Sequence, residues 1–287
     1  MGTLASALSA WESSLRLRGD TEEHILRRVG LCRELLGAAK IESVGRLRPV
    51  RVTAALGDCR WTPHMVARRI AAAKAFSRWL FANRLTPYDA LLPVGLPRPA
   101  KTTNRRAMTD AELTSLLKTT WAGKTRCGMT GQHRAAAYAL AAGTGLRVNE
   151  IRTLTPESFV LDGDLPRVRV EQRHAKNRKT AEQPLYPELA EDLRPWVMQV
   201  GPGSRVFPLP ASGAARLLRA DMAAAGIDTT GLDFHALRVT FCTRLARKGV
   251  SLQQAQVLMR HSTPVLTAGL YTRLTLQEAA AAVARLA

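Results

Sequence analysis

Between Thr86 and Arg106 the chain reads TPYDALLPVGLPRPAKTTNRR. Each proline removes a backbone donor and clashes with the preceding helical turn, so Pro87, Pro93, Pro97 and Pro99 forbid a continuous helix here. The stretch predicts a division of the 287 residues into two domains. A helical domain is expected over 1–85 and a basic, proline-rich, semi-extended linker over 86–107, with a second domain over 108–287.

Before this break the pattern is helical. Leu4, Leu8, Trp11 and Leu15 recur at helical spacing, and Asp20 with Glu23 suggests a capping box for a helix carrying Ile25, Val29, Cys32 and Leu36. Pro49 suits the first position of a short helix through Leu56. Thr62 and Pro63 open a longer one to about Asn83, with Val66, Ile70, Ala73, Phe76 and Leu80 as its apolar stripe. Arg68, Arg69, Lys74 and Arg78 are expected on its other face, as a solvated surface or one that lies along a phosphate backbone.

After the break, Thr109 and Glu112 form another capping-box signal, and helices are expected near 110–118 and 132–143. Gly143 and Gly145 then permit a tight turn before a short helix that begins near Arg147. Residues 159–186 change period: PRVRVEQR alternates, HAKNRKT is a polar basic turn and AEQPLYP resumes, which predicts a small antiparallel sheet. Further helices are expected near 187–200, 211–225, 235–248, 251–260 and 275–286. The fold class is therefore mainly α with a small antiparallel β-sheet.

Charge narrows the choice of partner. Lys+Arg number 42 against 23 Asp+Glu, a net +19, and only eight of the basic residues are lysines. Arginine's flat fork suits bidentate phosphate contact, and so basic a chain points to nucleic acid. No apolar run is long enough to span a membrane, and the N-terminus lacks the pattern of a secretory signal. Cys32, Cys59, Cys127 and Cys242 are scattered without a C-x-x-C pair, which suits reduced thiols in a cytoplasmic protein.

Six polar residues ask for a joint account: Arg147 after the glycine turn, Lys176 in the hairpin, His235 and Arg238 three apart in one helix, His261, and Tyr271. Each alone has an ordinary structural reading as a cap, a solvated cation or a core tyrosine. In order, however, they resemble the tyrosine recombinase (phage integrase) family. TGLRVNEI from Thr144 matches its T-G-x-R-x-x-E core, HALR from His235 matches H-x-L-R, and His261 precedes Tyr271 at the spacing of the third motif. Lys176 lies where the family carries a lysine on a β-hairpin, with Lys179 in the same turn as the alternative.

The resemblance implies a helical core-binding domain followed by an integrase-type catalytic domain of the DNA breaking–rejoining fold, clamped around double-stranded DNA. Tyr271 would attack a phosphodiester to leave a 3′-phosphotyrosyl link and a free 5′-hydroxyl, which conserves the bond energy for rejoining. Arg147 and Arg238 would stabilise the charge of the phosphorane, and His235 would assist loss of the tyrosine proton. Lys176 would protonate the leaving oxygen and His261 would donate to the phosphate. Glu150 would orient the arginine-bearing turn. No metal and no cofactor is implied. Four protomers on two duplexes would exchange strands, a monomer without DNA being compatible with this. The helix near 275–286 would pack in a neighbouring protomer or fold back.

The chain departs from the family pattern at Val239, where a second histidine is common, and at Arg260, where Leu-Gly-His is usual and the chain has Met259-Arg260-His261. With no further domain before the first helix of this sequence, binding to accessory arm sites is not expected. Two alternatives remain: a type IB topoisomerase-like enzyme, against which the compact helical first part argues, and a non-catalytic helix-turn-helix-like DNA-binding protein, which would leave Arg147, Lys176 and Tyr271 unexplained.

Overall fold

Helices in the computed structural model begin where a short polar side chain can accept an otherwise orphaned N–H. The structure describes residues 3–97, 105–171, 180–261 and 263–271, with the backbone alone at Asp58, Leu270 and Tyr271. Two compact units divide the chain, Met1–Thr102 and Thr103–Ala287.

In the first unit Thr3 caps α1 (Leu4–Leu17), Thr21 caps α2 (Glu22–Ala38) and Thr62 caps α4 (Pro63–Ala82). Proline occupies the first turn of α3 (Pro49–Asp58), where its missing donor costs nothing. The expected Asp20–Glu23 capping box does not form: the hydroxyl of Thr21 accepts the His24 N–H, and Asp20 pairs with Arg18 at 3.1 Å. α2 packs along α4, and α1 packs against both. Trp11, Leu15, Ile25, Leu35, Phe76 and Leu80 are all buried there, and the Trp11 and Phe76 rings lie 5.2 Å apart. Each such side chain contributes about 1.5–3 kcal/mol through burial.

Two members of the expected basic stripe on α4 are structural. Arg69 is only 8% exposed, lies 4.3 Å over the Trp61 ring and pairs with Glu34. Lys74 donates to the carbonyl oxygens of Leu92 at 2.8 Å and Val94 at 2.6 Å. Arg68 and Arg78 remain exposed. The same contacts tie down the start of the proline-rich segment, and Ala90, Leu91 and Val94 join the core of this unit. Proline prevents a helix there without preventing burial of the apolar residues between.

The second unit opens with Thr109 and Glu112, which form a reciprocal capping box on α5 (Asp110–Trp121). α6 (Gly131–Thr144) runs through the core and packs against α5, α8 (Pro187–Gln199) and α10 (Phe234–Arg247). Its Ala135, Ala136, Ala137, Ala141 and Ala142 are all buried, and such small residues let neighbouring helices close in. Gly143 belongs to this packing and to no turn: a Cβ there would lie 2.6 Å from Leu189 Cδ2. Gly145 alone makes the turn, at φ +66.

A buried ionic knot fastens α6 to α9 (Ala214–Ala224). Arg134 donates to both oxygens of Asp221, at 2.8 and 3.0 Å, and the Tyr138 hydroxyl donates to Oδ2 at 2.9 Å. The expected small sheet is present with three strands, β1 (Phe159–Val160), β2 (Arg167–Val170) and β3 (Ala181–Pro184), antiparallel in the order β1-β2-β3. Val168 faces Gln183, and both are buried. α7 (Val148–Ile151), α11 (Leu252–Met259) and α12 (Pro264–Tyr271) complete the unit. The sequence pattern gave no sign of α12. The helix expected near 275–286 and the hairpin turn with Lys176 and Lys179 lie outside the described residues. Among the described residues, no helix is long and apolar enough to cross a membrane.

Candidate active site

α6 ends at Thr144, and Gly145 reverses the chain in the left-handed region, donating its N–H to the Ala141 carbonyl at 2.9 Å. A side chain is excluded there twice over, since a Cβ would also sit 2.6 Å from Phe241 Cδ1. The reversal sets Arg147 at the N-cap of α7, in extended conformation. Its backbone N–H donates to Glu150 Oε2 at 2.8 Å, and its guanidinium donates to Oε1 at 3.0 Å. Glu150, 1% exposed, therefore holds Arg147 at both ends.

α10 supplies the second pair. Asp233 caps it by accepting the Ala236 N–H, and also pairs with Arg105 at 2.8 Å. Arg238, one turn in, is 2% exposed and donates to the carbonyl oxygens of Gly145 and Met259. Two backbone turns, one after α6 and one after α11, thus converge on a single guanidinium. Burial, then repulsion from Arg147 and Arg260, lowers its pKa to about 10, which still leaves it charged at neutral pH. His235 lies on the same helix with its surface open to solvent. Protein crowding around the ring lowers its pKa, and repulsion from Arg105, Arg238 and Arg147 adds to this.

α11 ends in a left-handed residue, Arg260, at φ 51 and ψ 41. The N–H of His261 then returns to the Gln256 carbonyl at 3.2 Å, which turns the imidazole towards the arginines. Nδ1 of His261 lies 2.8 Å from Oγ1 of Thr267, a buried hydroxyl on α12. Burial, followed by Arg238, Arg147 and His235, depresses the His261 pKa to about 4. Four of the six candidate residues, Arg147, His235, Arg238 and His261, are therefore electrostatic neighbours drawn from three separate segments. Tyr271 ends α12, a helix packed on α10 and α11. Lys176 lies outside the described residues.

The model of the phage integrase family matches residues 106–278, well over half of the chain. The chain belongs to the phage integrase family. Tyrosine recombinase XerD of Pseudomonas putida is 26% identical over 228 residues, spanning 75% of this integrase-family chain and 72% of the relative. Its counterpart from Lacticaseibacillus casei is also 26% identical, over 75% of this chain and 74% of that one. Among solved structures, a lambda integrase dimer bound to a COC′ core site superposes with a TM-score of 0.74 at 19% identity, covering 94% of this chain and 95% of that one. The Tn1549 transposon integrase in complex with a circular intermediate DNA gives 0.68 at 16%, covering 97% and 99%. These likenesses establish the fold.

Two contributors to this cluster escape a reading of motifs. Thr267 lies between two expected helices with no signal of its own until α12 brings it against His261. Arg260 reads as a departure from the family pattern, yet its Nη2 donates to Glu150 Oε2 at 2.6 Å.

Proposed function

We propose that this tyrosine-type site-specific recombinase cleaves and rejoins double-stranded DNA through a 3′-phosphotyrosyl intermediate made by Tyr271. The observation that carries the reading is the convergence of Arg147, His235, Arg238 and His261 from three segments of one unit. The two arginines repel one another and disfavour the charged form of both imidazoles in the absence of an anion, and a scissile phosphate supplies that anion.

Arg238 is buried, charged and fixed by two carbonyls, so its remaining N–H groups are oriented before the phosphate arrives, as transition-state stabilisation requires. Arg147 is a quarter exposed, so a phosphate can reach it from solvent. A neutral His235 can accept the tyrosine proton as the hydroxyl attacks phosphorus. With the Thr267 hydroxyl donating to Nδ1, His261 keeps an Nε2–H to give to a phosphate oxygen. Lys176 is assigned the proton for the departing 5′-oxygen, after the family's hairpin lysine. The bond energy stored in the phosphotyrosine then lets a second strand's 5′-hydroxyl reverse the step.

The XerD relatives are recombinases, and one solved lambda integrase is a tetramer bound to a Holliday junction. By this likeness four protomers act on two duplexes, in the cytoplasm, where the DNA is. The division of labour is a helical DNA-binding part over 1–85, a segment over 86–107 whose start is fastened to that part's core, and a catalytic part over 108–287.

Tyr271→Phe tests the assignment. DNA affinity is expected to stay at the wild-type value while the covalent protein–DNA adduct on a nicked substrate disappears. Undiminished adduct in that variant would overturn the role given to Tyr271.

A further inference from the structure

The left-handed residue after α11 is the place where glycine would fit without strain, and here it is Arg260 at φ 51. Lys40 and Arg84 adopt similar backbone angles after α2 and α4, and both of those side chains are exposed. Arg260 differs: its side chain is only 13% exposed and crosses 110 residues of sequence to a carboxylate that is 2% exposed. We propose that Arg260 is a positioning residue of the recombination site, which offsets the negative charge of Glu150 so that the field of Arg147 is left for the scissile phosphate. This rests on the recombinase reading above.

The charges make the case. Glu150 alone against Arg147 would form a pair with no net charge, and a neutral pair does little for the extra negative charge that the phosphorane carries over the bound phosphate. With Arg260 on Oε2, the trio of Arg147, Glu150 and Arg260 carries one net positive charge. Burial alone would raise the Glu150 pKa, but Arg260, the Arg147 N–H and the Arg147 guanidinium outweigh it and hold the carboxyl below its ordinary value. The same bridge ties the turn that bears His261 to the turn that bears Arg147. The two motifs are thereby locked in register at the point where Arg238 already bonds both.

Arg260→Gly tests this without backbone strain, since glycine accepts the left-handed angle. The single-turnover rate of adduct formation is expected to fall by about tenfold to a hundredfold, as a small misplacement of a catalytic group produces. DNA affinity is expected to hold within about twofold, and Arg260→Lys to recover part of the rate, since it restores the charge without the planar fork. A wild-type rate in Arg260→Gly, or an affinity loss as large as the rate loss, would overturn the assignment. Thermal melting supplies a readout that needs no catalysis: in a Glu150→Gln background, Arg260→Gly is expected to leave the melting temperature unchanged, because the partner is already neutral. A drop equal to that in the wild-type background counts against the bridge. Wild-type protein that forms no adduct at all would bring down the recombinase reading itself, a result distinct from either.

Discussion

His261 sits among cations, and its titration reports on them. Its pKa in the free protein is about 4 against an ordinary 6.5, lowered by burial and then by Arg238, Arg147 and His235. A histidine whose folded pKa is depressed binds its proton more readily when unfolded. Its contribution to stability is therefore fully present above about pH 6.5 and is lost progressively as pH falls towards 4. A bound phosphodiester reverses the local field, because its negative charge favours the imidazolium. In Tyr271→Phe, which cannot react, NMR titration of the His261 ring is expected to give a midpoint near 4 without DNA and a higher one with a cognate duplex. An unchanged midpoint on binding would mean that the phosphate does not approach this imidazole. The residue scale thus separates two duties that motif reading merges: Arg238 and Glu150 are buried and fixed, while Arg147, His235 and His261 keep surface towards solvent.

Among the elements, α6 does most to hold the site, because its last residue begins the turn that orients Arg147 and Arg238. Its other end is fastened by Arg134 and Tyr138 to Asp221 on α9, all three almost fully buried. Asp221→Ala would leave the Arg134 guanidinium without its carboxylate away from water, and breaking such a pair from one side costs about 3–5 kcal/mol. Chemical denaturation is expected to show a loss of that order, and a change under about 0.5 kcal/mol would show that the knot is not holding α6 to α9. Neither Arg134 nor Asp221 stands out in the chain, since they lie 87 residues apart with no shared motif. The elements most legible in sequence carry local chemistry: the Thr109–Glu112 box, Pro49 and Pro63 at helix starts, and the alternation that made β2. Where two local options competed, as at Asp20 and Thr21, spacing alone could not decide, because each offers an oxygen within reach of the first turn. α12 was hidden because it is short and apolar without a repeated stripe. Arg147, His235, Arg238 and His261 were legible because their spacing within motifs is set by single turns. Thr267 was not, because only tertiary packing selects it, and Arg260 stood out as a departure whose use only the distant carboxylate reveals.

For the whole molecule the relevant quantity is how much of the charge can meet phosphate. The net +19 is shared almost evenly, with 17 Lys+Arg against 8 Asp+Glu up to residue 102 and 25 against 15 after it. Both units therefore bring an excess of cations to a duplex. Many of the arginines are nevertheless committed within the protein: Arg16 to Glu12 and Glu22, Arg69 to Glu34, Arg106 to Glu112, Arg134 to Asp221 and Arg194 to Asp162 and Glu191. Those pairs release no counterions when DNA binds. The slope of log affinity against log salt counts phosphates neutralised, about 0.9 per contact on duplex DNA, and is blind to net charge. The expected slope per protomer is thus steep but well short of 19, near the six to ten contacts that cost roughly a thousandfold to a hundred-thousandfold between 50 and 200 mM salt. Titration of Tyr271→Phe against a duplex over that range, with fluorescence anisotropy as the readout, measures it free of covalent trapping. A flat response would deny the basic surface any part in binding. A slope approaching the full net charge would require that nearly every cation left over once each acid has taken one, 19 of the 42 Lys+Arg, reaches a phosphate.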